Sequence, residues 1–313
     1  MIYIEKLEME RKANMIKENN ILEKTLEIAE KGYGEAYQFL KEVYEKDPEA
    51  YGPQTFYFLA CLAGGAERTE EALGWLKKSI VDHGWWYRPE VLDDEDLEAV
   101  KDYPAFKTMK SISDARYTDA VSKTEAVFSW EKKTADHLFL AVHGNTQNGQ
   151  TAREDWKPIF AGSNQWQIET IQSTEPDGYG TYRWSYDMRS YLPVAEAMKM
   201  VQKKEYESIA CGGFSAGCDM LLRAIAFTSV RCDLMILQGP WIPVLEEHAE
   251  TVVSAIREKN IALRIFCGSE DDDCLPMAKQ LYEAAKRGKC NVKFTVQENN
   301  RHQFPEKMYT ILH

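Results

Sequence analysis

Ser208-Ile209-Ala210-Cys211-Gly212-Gly213-Phe214-Ser215-Ala216-Gly217-Cys218-Asp219-Met220-Leu221-Leu222-Arg223-Ala224-Ile225-Ala226-Phe227 is the stretch whose reading decides the fold. Its first five residues form an apolar run with the composition of a strand. The last ten carry the apolar period of a helix. Between them lies Gly213-Phe214-Ser215-Ala216-Gly217. Strand, tight turn and helix in that order make a Gly-x-Ser-x-Gly string a nucleophile elbow. The glycines let the chain turn sharply enough to hold the serine hydroxyl clear of the backbone. Alone the pentapeptide is unspecific, because glycine is common. Three other stretches supply what an activated serine needs.

The first lies upstream. His137-Leu138-Phe139-Leu140-Ala141-Val142 reads as a short buried strand and runs into His143-Gly144-Asn145-Thr146-Gln147-Asn148-Gly149. A His-Gly turn at a strand end can aim the next backbone N–H, that of Asn145, at a developing oxyanion. Ala216, directly after the serine, would supply the second donor. A polar strand-to-helix loop is the plainer reading of the same residues. His143 precedes the serine and is read as a structural turn residue.

The second and third lie downstream. Ile261-Ala262-Leu263-Arg264-Ile265-Phe266-Cys267 predicts a strand, followed by Gly268-Ser269-Glu270-Asp271-Asp272-Asp273-Cys274-Leu275-Pro276. A carboxylate just past a strand end can hold an imidazole in the right tautomer and stabilise its positive form. Gly-x-x-Asp spacing selects Asp271, whereas counting back from Pro276 favours Asp272. A solvated acidic loop capping the helix near Pro276 is the alternative. After the strand-like Val292-Lys293-Phe294-Thr295-Val296 comes Asn299-Asn300-Arg301-His302-Gln303-Phe304-Pro305. A histidine in that place can reach back to the serine as general base. His83, His137, His248 and His313 are read as surface or packed residues.

With these motifs in order, residues from roughly 120 to 313 resemble an α/β-hydrolase, nearest to the carboxylesterase and dienelactone-hydrolase-like branch. The resemblance implies an α/β fold, a mostly parallel sheet with helices on both faces. It further implies a serine hydrolase cleaving a carboxylic ester through Ser215, His302 and Asp271, with Asn145 and Ala216 as oxyanion donors. No cofactor and no metal are expected, and the substrate would be a small-molecule ester or acyl compound. A serine peptidase or thioesterase of the same fold is the alternative, and so is a non-catalytic interaction protein. The sequence departs from the family in two places. Asn299 stands where a glycine is usual, which asparagine tolerates because it accepts positive φ. No triple-glycine oxyanion motif is present.

Composition agrees with a globular enzyme. The chain has 313 residues, 44% of them hydrophobic, enough for a real core and a second module. Fifty acidic residues against 38 basic ones give a formal net charge of −12. That balance disfavours nucleic acid, since phosphate binding requires a basic face, and no membrane insertion is expected. The start, Met1-Ile2-Tyr3-Ile4-Glu5-Lys6-Leu7-Glu8, lacks the apolar core of a signal peptide. Seven cysteines without metal-ligand spacing suggest reduced thiols in a cytoplasmic protein. Cys218, one helical turn beyond Ser215, is read as structural.

The N-terminal third is helical in pattern from Asn20 to about Met109. Phe56, Leu59 and Ala60 against Ala72, Leu73, Leu76 and Ile80 have the spacing of facing helices around Gly64-Gly65. Thr69–Ile80 resembles the second helix of a tetratricopeptide repeat, and Trp85-Trp86-Tyr87 onward resembles the end of such a group. Repeats need neighbours to bury their faces, and too few are present for a groove of their own. A helical TPR-like domain over 1–118, serving as an appendage, is therefore expected before a catalytic domain over 119–313. A protein partner bound through those helices is the alternative. The polar stretch 111–123 reads as the boundary. In the aromatic-rich loop 174–191, Trp184 is a candidate substrate contact, as are Trp241 and Gly144; simple packing explains the tryptophans equally well.

Overall fold

The computed structural model describes residues 18, 21, 22, 24–160, 163–187 and 189–305. The chain divides into two units, the first ending at Lys123 and the second starting at Thr124. Helices of the first unit with both ends among the described residues are α1 (Tyr33–Lys46), α2 (Pro53–Gly65), α3 (Thr69–Lys77), α4 (Pro89–Leu92) and α5 (Pro104–Lys123). Proline opens α2, where its missing N–H leaves no bond unmade. Phe56, Leu59 and Ala60 of α2 are buried with Ala72 and Leu76 of α3 and with Ile80. Ile80 lies on a π-helical turn, Lys78–Asp82, that continues α3. The polar residues 111–123 are helical, within α5. Only Phe106, Met109 and Ser113 of this helix are buried, a stripe too thin to mark it by apolar period.

In the second unit a seven-stranded sheet has the order β1-β3-β2-β6-β7-β8-β9. Its strands are β1 (Val127–Phe128), β2 (His137–Val142), β3 (Trp166–Gln172), β6 (Ser208–Phe214), β7 (Leu234–Gln238), β8 (Ala262–Gly268) and β9 (Val292–Gln297). All neighbours pair in parallel except β1 with β3. A parallel sheet needs cover on both faces, which is why β2 is apolar almost throughout. Leu138, Leu140 and Val142 face a core built with α7 (Leu192–Val201), α8 (Ala216–Phe227), α9 (Val244–Glu258) and α10 (Cys274–Arg287). Phe139 and Ala141 point the other way, onto Ala152 and Trp156 of α6 (Gly149–Trp156). Truncating Phe139 to alanine there would cost about 3–5 kcal/mol.

From β2 the chain steps to β3 on one side and later returns to β6 on the other. The order of strands thus reverses between β2 and β6, the place where open α/β sheets form their ligand crevice. His143 and Ser215 directly follow those two strands. Within the expected loop 174–191 stands a hairpin, β4 (Glu175–Gly178) and β5 (Thr181–Arg183). Tyr179-Gly180 is its two-residue turn, between paired Gly178 and Thr181, and Gly180 takes φ +73. Among the described residues, no helix is long and apolar enough to cross a membrane. None of the seven cysteines is in a disulfide.

Candidate active site

Ser215 stands between β6 and α8 with φ 50 and ψ −124. A residue with a side chain reaches that backbone only when its surroundings impose it. Here its N–H donates to Gln238 O at 3.1 Å, and its carbonyl accepts from Cys218 N at 3.0 Å and Trp241 N at 3.3 Å. Gly217 is dictated by close approach: a Cβ there would sit 2.5 Å from His143 O and 2.7 Å from Val142 O. The start of α8 therefore lies directly on the end of β2. Cys218 packs beneath the turn with Sγ 3.1 Å from Gly213 O, and burial holds its thiol well above the ordinary value.

The His143-Gly144-Asn145 turn reaches the same place, since a Cβ on Gly144 would meet Ser215 Cβ at 3.1 Å and Phe214 at 2.9 Å. Gly144 N donates to Gln147 Oε1 at 2.8 Å. No described residue accepts a hydrogen bond from Asn145 N or from Ala216 N. Ala216 N is one of the orphan donors at the start of a helix, where negative charge is favoured. The hairpin braces the turn from outside. Tyr182 N donates to Gln147 O at 2.7 Å, Trp184 N to Asn145 Oδ1 at 2.8 Å, and Trp184 Nε1 to His143 O at 2.8 Å. Trp184 is only 1% exposed, so it has no open face to offer a substrate. It is a strut of the turn, the packing role weighed beside that of a substrate contact. Trp241 is half-buried and its Nε1 donates to Tyr186 OH at 2.6 Å.

His143 is fully buried and stacked on Trp184 with ring centroids 4.9 Å apart. Its Nδ1 lies 2.6 Å from Gly144 O, and its Nε2 accepts from Ser173 N at 3.1 Å. Donor at Nδ1 and acceptor at Nε2 define one neutral tautomer. Burial lowers its pKa to about 4. The turn histidine is thus a fixed hydrogen-bonding strut.

Asp271 and His302 come from separate loops at the same edge of the sheet. His302 Nδ1 lies 2.8 Å from Asp271 Oδ2. Asp271 is 4% exposed, whereas Asp272 and Asp273 face solvent. Burial pushes the Asp271 carboxyl up, but the His302 hydrogen bond and charge, with the Cys274 N–H at 3.1 Å, outweigh it and hold it below the ordinary value. Cys267 Sγ adds a weaker contact to Oδ2 at 3.6 Å. Asn299, ahead of the histidine, takes φ 53. Phe214, next to Ser215, packs its ring 4.9 Å from the His302 imidazole. The Cβ position of Gly239, adjacent to the residue that holds Ser215 N, lies 3.2 Å from His302 Nδ1. The structure therefore brings Ser215, Asp271 and His302 to one neighbourhood. Ser215 Oγ itself makes no hydrogen bond to a described residue; such contacts often tighten only once substrate is bound.

Asp271, Cys274 and His302 also place one oxygen, one sulfur and one nitrogen within 4.8 Å of one another. A zinc ion accepts such donors, but only as thiolate and carboxylate. Burial and the neighbouring Asp271 charge hold the Cys274 thiol far above its ordinary value, in the protonated form. His83 stacks on Trp85, His137 packs near Trp166, and His248 lies against Phe227. His313 lies outside the described residues.

Residues 17–121 match the family model of the A/B hydrolase-like N-terminal domain. Along 92% of its length the chain is similar to an uncharacterized protein from Bacillus cereus ATCC 10987, with 27% identity, 93% of that chain covered and a TM-score of 0.51. It also aligns with Zea mays acyl-protein thioesterase 2, at 20% identity over 59% of this chain and 94% of that one, TM-score 0.44. A third is a carboxylesterase from Mesorhizobium loti, at 17% identity over 56% and 85% of the two chains, TM-score 0.45. No curated protein matches the sequence.

Proposed function

We propose that this chain, whose second unit has the α/β-hydrolase fold and whose residues 17–121 match the A/B hydrolase-like N-terminal domain, is a serine hydrolase acting on carboxylic esters. Ser215 is the nucleophile. His302, held by Asp271, takes the serine proton as Oγ attacks the ester carbonyl. The N–H groups of Asn145 and Ala216 receive the negative oxygen of the tetrahedral intermediate. His302 then returns the proton to the leaving alcohol, and water repeats the sequence on the acyl-enzyme. Trp241, tied to Tyr186 and bonded through its N–H to Ser215 O, forms an aromatic wall beside the acyl group. None of these residues belongs to the first unit.

One observation carries the reading. A serine in strained backbone stands at the reversal point of the sheet, near a histidine held by a buried aspartate and beside two backbone donors that have no partner among the described residues. The neutral, buried His143 supports it from the other side, since it leaves His302 as the imidazole free to exchange a proton. Esters, thioesters and amides all pass through the same intermediate, so a panel of p-nitrophenyl esters, acyl thioesters and peptides ranks them. Ester turnover is expected to be fastest. A fluorophosphonate probe is expected to label the wild-type chain and not Ser215→Ala. The same variant should lose at least about a thousandfold in kcat with its melting temperature unchanged. Labelling or turnover surviving in Ser215→Ala would remove the proposal.

A further inference from the structure

Four side-chain amides close a ring of hydrogen bonds behind His302. Gln238, the last residue of β7, donates from Nε2 to Gln297 Oε1 at 2.8 Å and to the Gln303 carbonyl at 2.9 Å. Gln297, the last residue of β9, answers from its own Nε2 to Gln238 Oε1 at 3.2 Å. Asn300 Nδ2 donates to Gln297 Oε1 and to Gln303 O, both at 3.1 Å, and Gln303 Nε2 returns to Asn300 Oδ1 at 3.2 Å. Gln238, Gln297 and Asn300 are all buried. Strand β8 lies between β7 and β9, so the Gln238–Gln297 pair reaches across the end of a strand to meet.

A buried amide is costly unless every group is paired, and an apolar side chain would fill the same space. What an apolar filler lacks is direction. The ring fixes the carbonyl of Gln303 with two donors, and Gln303 is bonded in sequence to His302. The main chain of Gln238 meanwhile accepts the N–H of Ser215 at 3.1 Å. A single residue thus holds the serine by its backbone and the histidine loop by its side chain. Phe304 extends the hold, its ring 5.0 Å from Phe214 and 5.1 Å from Trp156.

We propose that Gln238, acting through Gln297, Asn300 and Gln303, is a positioning residue that sets the imidazole of His302 against Ser215; this rests on the roles given to those two residues above. Misplacing a reacting group by about 1 Å costs on the order of a hundredfold in rate. Gln238→Met keeps the length of the side chain and removes both donors. Its kcat on a p-nitrophenyl ester is expected to fall about 100-fold with KM within about threefold, the split that marks a transition-state effect. The far-downfield proton resonance of the His302 Nδ1–H···Asp271 bond should broaden or vanish with it.

The double variant Gln238→Met/Gln297→Met replaces both partners of the reciprocal amide pair and leaves Asn300 on the Gln303 carbonyl. Its thermal stability is expected to return part of the way toward that of wild type, because the reciprocal pair is removed whole and the Asn300 donor to Gln297 and one of the two donors to the Gln303 carbonyl are the only contacts left unmade, while kcat stays low. If kcat recovers together with stability, or if Gln238→Met keeps kcat within about threefold and the resonance intact, the ring is only structural and the proposal fails. Loss of turnover in Ser215→Ala alongside full kcat in Gln238→Met sinks the positioning role alone. Turnover persisting in Ser215→Ala removes the hydrolase reading instead, and the resonance still reports whether the ring orders His302: an unchanged resonance in Gln238→Met overturns the proposal there too.

Discussion

His143 and His302 both sit just past the end of a parallel strand at the same edge of the sheet, yet their surroundings give them opposite work. Each nitrogen of His143 is committed to backbone, one to Gly144 O and one to Ser173 N, and no charge lies against the ring. His302 has one nitrogen on a carboxylate and remains partly open to solvent. Burial without a counter-charge makes an imidazole a neutral strut. Burial of the carboxylate, with the ring left accessible, makes it a group that can take a proton and have its positive form stabilised. Position in the fold does not separate the two; the partner does.

The largest effect should come from removing that partner's charge. Asp271→Asn preserves size and a hydrogen bond to Nδ1 but favours the wrong tautomer, leaving no lone pair toward the serine. A loss of about 10⁴-fold in kcat is expected at neutral pH, with little change in the melting temperature. A variant retaining a tenth of wild-type turnover would show that the Asp271 charge is not what distinguishes the two histidines.

The strut should instead be visible in stability. Folding lowers the His143 pKa from 6.5 to about 4 through burial. Between those values the unfolded chain binds a proton that the folded chain refuses, so stability is complete above pH 6.5 and falls as the pH drops toward 4. The difference amounts to about 3 kcal/mol across the window. Urea denaturation at pH 7.5 and 5 should show the loss, and His143→Gln should flatten it. In NMR spectra of the folded protein the His143 ring protons should not move between pH 7.5 and 5. A ring titrating near 6.5 would make it no different from a surface histidine.

The same contrast marks what the sequence discloses. The elbow is legible because strand, Gly-Phe-Ser-Ala-Gly and helix lie within twenty consecutive residues, Ser208–Phe227, each obeying a local period. His302 is legible only by its order after the serine. Choosing Asp271 over its acidic neighbours requires knowing which carboxylate turns inward, and no spacing rule reports that. The amide ring is invisible in sequence, because Gln238 lies 59 residues from Gln297 and 65 from Gln303 and reads as the polar end of a strand. The hairpin β4–β5 is hidden by strands of four and three residues, and Asp177-Gly178, a turn signal in sequence, lies in strand β4 one step before the turn at Tyr179-Gly180. Helix α5 was hidden by its narrow apolar stripe.

A smaller test probes the brace on the oxyanion turn. Trp184→Phe keeps a ring against His143 but withdraws the indole N–H from His143 O. A buried carbonyl left without its donor costs about 1–3 kcal/mol of stability. Ester turnover should fall by about tenfold, since the Asn145 N–H is aimed from the same turn. A large change in acyl-chain preference would instead return Trp184 to the substrate-contact role.

The smallest effect is expected one residue from the largest. Asp272 is exposed, and its main contribution is negative charge near the start of α10. Such a charge at a helix N-terminus contributes about 0.3–1 kcal/mol, less as salt is added. Asp272→Asn should therefore keep ester turnover within about twofold and lower the melting temperature slightly at low ionic strength only. Paired with Asp271→Asn in one assay, it separates a carboxylate that orients the base from one that decorates the loop. Equal losses in both variants would mean that the charge of the acidic cluster as a whole, and not the buried contact at 2.8 Å, sustains His302.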